Sequence, residues 1–244
     1  MRQLASCVIL PGGARLTLSR FVLNAPARHF VKVPPMPGQM TLHWSPRSPY
    51  VRKVMIALHE MGLTERVRTV RTVVGGTTPH AELMKINPLG KIPTLELEDG
   101  TVIYDSPVIL EHLDMLHAGP KLYPSAWPER LIALRRHALG QGMLDSGLLL
   151  IGEGFRPSER QSEPHKDLWR SKLRASVAVL EHEADALSAG AFTVGHLAIG
   201  VALAYLDFRF TDLRWRYGHP RLAAWHETFN ARPSVHANPP VDDR

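Results

Sequence analysis

Apolar positions follow two different periods in the first half of the chain and one period in the second. Between residues 40 and 118, short apolar runs that suit strands alternate with stretches of helical spacing. Val51, Val54, Met55 and Leu58 give one such stretch, at i, i+3, i+4 and i+7, on one face of a helix. This half predicts the order β-α-β-α-β-β-α, which favours a small mixed sheet with helices on its faces.

Residues that cap helices or form turns mark where these elements begin and end. A serine followed by proline suits a helix start, because the hydroxyl accepts a bond from the first turn and proline is tolerated there. The predicted marks are Ser48-Pro49 and Gly62 around the first helix, Thr78-Pro79 before the second, Asp99-Gly100 in a hairpin, and Ser106-Pro107 before the third. In that third helix we expect Val108, Ile109 and Leu113 to face the core.

Strand patterns stop after the stretch "GPKLYPSAWPE" at 119–129, whose proline and glycine predict a linker. Helical spacing then covers roughly 127–154, 165–188, 193–208 and 219–230. The stretch that follows Thr193 is apolar on all sides, which is typical of a central, buried helix. The sequence therefore predicts an α/β domain at 40–118 and an all-α domain at 130–244.

The net charge of +6 is concentrated at the start of the chain, since residues 1–39 hold five Lys and Arg and no acid. The rest has no basic stripe with interleaved aromatic residues, so we expect no nucleic-acid partner. Residues 1–39 are expected to be a disordered leader: either an organellar transit segment or an upstream extension with Met36 or Met40 as the true start. The second interpretation is favoured, because the first predicted strand begins immediately after Met40.

Several kinds of chemistry are disfavoured by what the sequence contains. Cys7 is the only cysteine and lies in the leader, which excludes a disulfide framework and makes disulfide reduction by a protein thiolate unexpected. No GxSxG motif, glycine-rich phosphate loop or histidine pair with metal-ligand spacing occurs, so we expect no hydrolase triad and no metal. No apolar run is long enough to cross a bilayer, so we expect no membrane partner.

The segment "NPLGKIPTLELEDGTVIYDSP" at 87–107 combines features that suit a ligand. If the Ile92–Pro93 bond is cis, the main-chain groups of Ile92 face a cleft and can pair with an extended peptide. The alternative is an ordinary trans proline at a strand start. Asp105 and Ser106, at a helix start, could hold the ammonium and carboxylate of an α-amino acid. The alternative there is plain capping by Ser106 beside a solvated Asp105.

The combination of N-P-x-G-K-[IV]-P-x-L, then D-G, then an acid-Ser pair before a helix resembles the thioredoxin-like N-terminal domain of the cytosolic glutathione transferase superfamily. "SPRSPYVRKVMIALHEMGL", "FTVGHLAIGVALAYLDFRF" and "HPRLAAWHETFNARPSVHANPP" resemble further segments of its bacterial members, in the same order. The likeness spans about residues 41–240. It implies a glutathione transferase fold, with glutathione as co-substrate, and a cytoplasmic homodimer that acts in detoxification.

The resemblance also implies roles for particular residues. Ile92 and Pro93 would bind the cysteinyl backbone of glutathione, and Asp105 and Ser106 its γ-glutamyl head. Lys91 would lie near its glycine end.

In this family a hydroxyl near the end of the first strand stabilises the glutathione thiolate. Ser45 and Ser48 are the candidates, which makes this a serine-type member. Ser45 is favoured, because Ser48 is expected to cap a helix. Arg47, between them, could add positive potential, and Tyr50 is a poor match to the tyrosine classes. The electrophile would bind between the two halves, against a helix carrying Gln141, Met143, Leu144 and Leu148.

The expected function is activation of the glutathione thiol for attack on small, electrophilic, apolar compounds. The alternatives are a non-catalytic glutathione-binding or protein-interaction member, and a specialised isomerase, dehalogenase or ether-cleaving enzyme. The sequence departs from the family at His196, where the buried helix usually carries an acid that completes a capping box. We expect His196 to be neutral and to cap only partially.

Overall fold

The computed structural model describes residues 38–75 and 77–242; Cys7 and almost all of the predicted leader lie outside them. A four-stranded sheet has the order β2-β1-β3-β4. Its strands are β1 (Met40–Trp44), β2 (Val67–Arg71), β3 (Thr94–Glu96) and β4 (Val102–Ile103). Strand β1 is parallel to β2 and antiparallel to β3, and β3 forms a hairpin with β4. This is the mixed sheet that the alternating pattern predicts.

The helices of the described residues fall into two groups. The sheet carries α1 (Pro49–Glu60), α2 (Ala81–Met84) and α3 (Ser106–Met115). The second half consists of α4 (Trp127–Gly154), α5 (Glu163–Ala189), α6 (Val194–Arg209), α7 (Pro220–Asn230) and α8 (Pro233–His236). The predicted element order is confirmed, and α4 takes in the end of the predicted linker, residues 127–129. None of these helices combines the length and apolarity needed to cross a bilayer.

Ser48 caps α1 as predicted, but two other local predictions are wrong. Helix α2 is capped by His80, whose Nδ1 accepts from the Leu83 N–H at 3.1 Å, rather than by Thr78. Val108 is 48% exposed, whereas Ile109 and Leu113 are fully buried. The reason is helical geometry: Ile109 and Leu113 are one turn apart on the face toward α1, and Val108 lies one residue outside that stripe.

Helix α6 forms the centre of the helical part and is buried on all sides, as its composition predicts. Helix α4 packs against it at very short range. A Cβ added to Gly140 would lie 2.6 Å from the carbonyl carbon of Ala198, so only glycine allows this approach. The wall that α4 and α6 present to the rest of the molecule is therefore fixed by backbone contact.

The start of α6 corrects the prediction for His196. Its Nδ1 accepts from the Thr193 N–H at 3.2 Å, and its Nε2 lies 3.2 Å from the Leu187 carbonyl oxygen. The box is complete, because a neutral imidazole with its proton on Nε2 accepts where the usual acid would accept. Burial lowers the pKa of His196 to about 4. Its predicted neutrality is confirmed, and the prediction of partial capping is wrong.

Candidate functional site

A cleft of about 900 Å³ opens between the α/β part and helices α4 and α6. Its α/β wall comes from the β1–α1 turn, the loop before β3 and the start of α3. These three segments carry all the residues that the sequence singles out for glutathione, and the structure brings them to one cleft: Ser45, Ser48, Lys91, Ile92, Pro93, Asp105 and Ser106.

The loop before β3 is held by Asn87, which is buried at its base. The Asn87 amide donates to Thr94 Oγ1 at 2.8 Å and to the Lys91 carbonyl at 3.2 Å. The Ile92–Pro93 bond that follows is cis, as the sequence analysis required. In the described part of the chain, no backbone group pairs with the N–H or C=O of Ile92. A main-chain donor and acceptor are therefore available at the cleft.

The start of α3 offers a second set of unpaired groups. Asp105 occupies the N-cap position without a side-chain capping bond, and its side chain is exposed. Ser106 is buried, and its Oγ has no hydrogen-bond partner among the described residues. Plain capping by Ser106, the alternative considered from the sequence, is not what the structure shows. A buried hydroxyl without a partner is uncommon and points to a ligand that satisfies it.

The two candidate serines differ in exposure. Ser45 is 4% exposed, and its Oγ accepts from the Arg47 N–H at 3.4 Å. Ser48 is partly exposed, and its Oγ accepts from the Val51 N–H at 3.3 Å. Both hydroxyls act as acceptors in these bonds, so each keeps its own proton to donate. Helix capping therefore does not remove Ser48 from consideration.

Tyr50 lines the cleft on the first turn of α1 and reaches across to α4. Its hydroxyl donates to Asp145 Oδ1, which links the two walls. Burial, and after it Asp145, raise the pKa of Tyr50 far above its ordinary value. The proton of Tyr50 is committed to Asp145, which agrees with the poor match of Tyr50 to a thiol-activating tyrosine.

Lys53 lies behind this pair and is a residue that the sequence analysis missed. It is fully buried, and its Nζ donates to Gln141 Oε1 and lies 3.4 Å from His137 Nε2. Burial lowers the pKa of Lys53 to about 7, against the attraction of Asp105 and Asp145. A signal was available, because Lys53 shares the stripe of Tyr50, Val54 and Ala57 at i, i+3, i+4 and i+7.

The helical wall was predicted only in part. Gln141 and Leu148 line the cleft, as expected. The prediction that Met143 and Leu144 line the cleft is wrong, because both are buried in the core of the helical part. The sequence analysis missed the other residues that complete this wall, which are Asp145, Ile151 and Gly154 on α4, Phe155 directly after α4, and Tyr205 and Arg209 on α6.

Comparisons with known proteins agree with this geometry. The family described as glutathione S-transferase, N-terminal domain, matches residues 47–116, and its C-terminal domain matches residues 163–228. The uncharacterised GST-like protein YibF of Escherichia coli K12 is 33% identical over 199 residues, which cover 80% of this chain and 96% of YibF. The chain belongs to the glutathione S-transferase family. The expected fold, a thioredoxin-like domain followed by a helical domain, is confirmed.

Solved structures of the glutathione S-transferase family extend the likeness to the whole fold. A family member from Pseudomonas fluorescens Pf-5, crystallised with bound glutathione, is 42% identical. It has a TM-score of 0.81 over 84% of this chain and 100% of that one. A second structure from the same organism contains bound S-(propanoic acid)-glutathione; it is 42% identical, with a TM-score of 0.75 over 82% of this chain and 100% of that one.

Proposed function

We propose that this chain binds glutathione in the cleft and stabilises its thiolate with a serine hydroxyl, as a serine-type glutathione transferase. The observation that carries the proposal is the set of unpaired polar groups on the α/β wall, above all the buried Ser106 Oγ. The glutathione in the related Pseudomonas fluorescens structure supports the same ligand for this chain.

The unpaired groups match the parts of the tripeptide in order. The Ser106 hydroxyl and the first-turn N–H groups of α3 suit the γ-glutamyl carboxylate, and the exposed Asp105 suits the ammonium group. The free N–H and C=O of Ile92 pair with the cysteinyl main chain in the manner of an added strand. The exposed Lys91 is then available to the glycine carboxylate.

The thiolate would form at the start of α1, with its proton released to solvent. Of the two serines, the structure favours Ser48, because it is more exposed and stands at a helix N-terminus, whose dipole stabilises an anion. Ser45 remains the second candidate. The Ser48 O–H donates to the sulfur without becoming a nucleophile. The sulfur then bonds to an electrophilic carbon, and the leaving group departs with its bonding pair.

The expected homodimer also belongs to this proposal. Large apolar side chains are exposed on α3 and at the start of α4: Val108, Met115, Trp127, Leu131 and Ile132. The Glu111–Arg130 ion pair, at 2.5 Å, joins these two helices. We propose that a second copy of the chain covers these side chains. The cytoplasmic location stays a prediction.

Binding and turnover test this function separately. Titration calorimetry with glutathione is expected to show binding that weakens in Ser106→Ala. Turnover is then measured with chlorodinitrobenzene, an isothiocyanate and a haloalkane. Binding without turnover of any of these would favour the non-catalytic member of the family, and turnover of the haloalkane alone would favour a specialised dehalogenase.

Separate Ser45→Ala and Ser48→Ala variants assign the hydroxyl. Loss of one oriented donor to a developing anion costs on the order of 100-fold in kcat. We expect that loss in Ser48→Ala and a smaller one in Ser45→Ala. If neither variant changes turnover, no serine of this turn stabilises the thiolate.

A further inference from the structure

Arg52 carries a buried guanidinium that the proposed chemistry does not use. It lies on α1, one turn after Ser48, and is 8% exposed. Its backbone N–H donates to the Ser48 carbonyl oxygen at 3.0 Å, which closes the first turn of the helix. In the described part of the chain no carboxylate pairs with Arg52, and burial alone lowers its pKa to about 10. A buried charge is costly unless it is hydrogen-bonded, so the bond that Arg52 makes is important for its place in the fold.

The partner of Arg52 is the segment of residues 238–242, which we call the C-terminal strap. Arg52 Nε donates to the Asn238 carbonyl oxygen at 2.7 Å, and the two residues are 186 positions apart in the sequence. Asn238 is held in turn, because its side-chain amide donates to the carbonyl oxygen of Ser234, on α8, at 2.7 Å. The strap therefore reaches α1 from a fixed point at the end of α8.

The C-terminal strap also contacts the β1–α1 turn itself. The Val241 N–H donates to the Pro46 carbonyl oxygen at 3.4 Å. Pro240 and Pro46 line one small recess, together with Ser48. Because Pro46 follows Ser45 directly in the sequence, the strap meets the turn between the two candidate serines.

The far end of the C-terminal strap is bonded to the helical part. Asp242 Oδ2 accepts from Nη1 of Arg209, the last residue of α6, at 2.8 Å. Helix α6 is itself fixed against α4 by the backbone contact at Gly140. The turn that carries the serines is therefore connected, through the strap, to the packing of the helical part.

A second connection joins α1 to the C-terminal region at the other end of the helix. Glu60, the last residue of α1, accepts from Arg232 Nε at 2.9 Å, from Arg232 Nη2 at 2.7 Å and from the Ser234 hydroxyl. At 1.5 Å per residue, Glu60 lies roughly 18 Å along the helix from Ser48. The two connections allow an effect on the serines to be separated from an effect on stability alone.

We propose that Arg52 and the C-terminal strap are positioning elements, which fix the β1–α1 turn so that its serine hydroxyl and the first-turn N–H groups of α1 face the glutathione sulfur. The inference rests on the proposed function, since it takes this turn as the place where the thiolate is stabilised. A donor stabilises a developing anion best when its position is set in advance, and a displacement of about 1 Å can cost on the order of 100-fold in rate.

The test measures two properties of bound glutathione. Its thiol pKa is followed through the ultraviolet absorbance of the thiolate, and its Kd is measured by titration calorimetry at a pH where the thiol stays protonated. In Arg52→Met we expect the thiol pKa to rise by about one unit toward that of free glutathione, a tenfold weaker stabilisation of the thiolate. The Kd should stay unchanged, because the groups proposed to hold the tripeptide lie before β3 and at the start of α3. Arg52→Lys keeps a donor and should recover part of the lowered pKa.

A truncation and a control variant complete the series. A chain that ends at Pro239 loses the bonds to Pro46 and Arg209 but keeps the Asn238 carbonyl. It is expected to raise the thiol pKa in the same direction, which keeps the inference testable if Arg52→Met does not fold. Arg232→Gln, at the second connection, is the matched control. It should lower the urea midpoint of unfolding and leave the thiol pKa unchanged.

The possible failures are distinct. If the thiol pKa is lowered in the parent protein and stays equally low in both Arg52→Met and the truncated chain, this inference alone is overturned. An equal rise of the thiol pKa in Arg232→Gln also overturns it, because the effect would then follow stability alone. If bound glutathione titrates like free glutathione in the parent protein, the proposed function is overturned, and this inference with it.

Discussion

The two walls of the cleft are built in different ways. On the α/β wall, binding groups come from three short segments, and much of what they offer is backbone or sits at a helix start, as with Ile92 and Ser106. On the helical wall, side chains come from positions a turn or more apart on α4 and α6, so their placement depends on how these helices pack. In the proposed function, glutathione recognition is thus local in sequence, whereas recognition of the electrophile would depend on helix packing.

Lys53, where the walls meet, gives the largest expected effect. Between pH 7 and about 10, the unfolded chain keeps the proton on Lys53 that the folded chain releases, so stability rises with pH in this window. Below pH 7 both states carry the proton, and the cost of the buried charge is fully present. Lys53→Met is expected to remove this rise, of roughly 3–5 kcal/mol, in denaturant unfolding at several pH values.

Lys172→Met, at an exposed lysine of α5, is the control for that series and is expected to keep the rise. A Lys53→Met protein whose stability follows the parent at every pH would show that the Lys53 ammonium is not desolvated.

The glycine contact between α4 and α6 tests whether packing fixes the helical wall. Gly140→Ala forces a Cβ against the Ala198 backbone, and overpacking of this kind costs about 1–3 kcal/mol. Gly142→Ala, in the same helix but with nothing within 4 Å of its added Cβ, should instead stabilise by about 0.5–1 kcal/mol. The measurement is the free energy of unfolding in urea. Equal shifts in the two variants would contradict the close approach.

Asp105→Asn tests glutathione binding by the α/β wall and leaves the helical wall unchanged. The asparagine keeps the shape but loses the charge that would hold the ammonium group, so KM for glutathione should rise about 10-fold or more. Steady-state kinetics at saturating electrophile measure this KM for glutathione. Asp167→Asn, at an exposed acid of α5, should leave KM unchanged. An unchanged KM in Asp105→Asn would remove Asp105 from the head-group site.

Leu148→Ala has the smallest expected effect and acts on the helical wall. Leu148 is 39% exposed, so truncation removes only part of a buried leucine's contribution. We expect kcat/KM for an apolar electrophile to fall about threefold to tenfold, with KM for glutathione unchanged. A matching rise in KM for glutathione would show that the two walls do not bind their substrates independently.

The difference between the walls also explains what the sequence could predict. Element order and helix limits follow from periodicity, and the α/β site residues follow from short motifs whose chemistry is local, such as Asp105-Ser106. The misplaced residues are of another kind. Met143 and Leu144 share a helix with true lining residues, and a stripe shows which residues share a face but not what covers that face.

The remaining errors concern two histidines that accept hydrogen bonds at helix starts and one lysine that is buried. His80 and His196 both accept a backbone N–H at a helix start through the ring nitrogen Nδ1, a use of histidine that capping preferences do not indicate. The burial of Lys53 depends on partners about 84 and 88 residues away, His137 and Gln141. No local pattern specifies such partners, although an apolar stripe that contains a lysine indicates the burial.

The most direct test of the central claim is the thiol pKa of bound glutathione, followed through the ultraviolet absorbance of the thiolate as pH is raised. If the Ser48 hydroxyl stabilises the thiolate, the thiol pKa of bound glutathione lies well below that of free glutathione in the parent protein and returns toward the free value in Ser48→Ala. A bound thiol that titrates like free glutathione in the parent protein would contradict it, and the cleft would then be a site that binds glutathione without activating it.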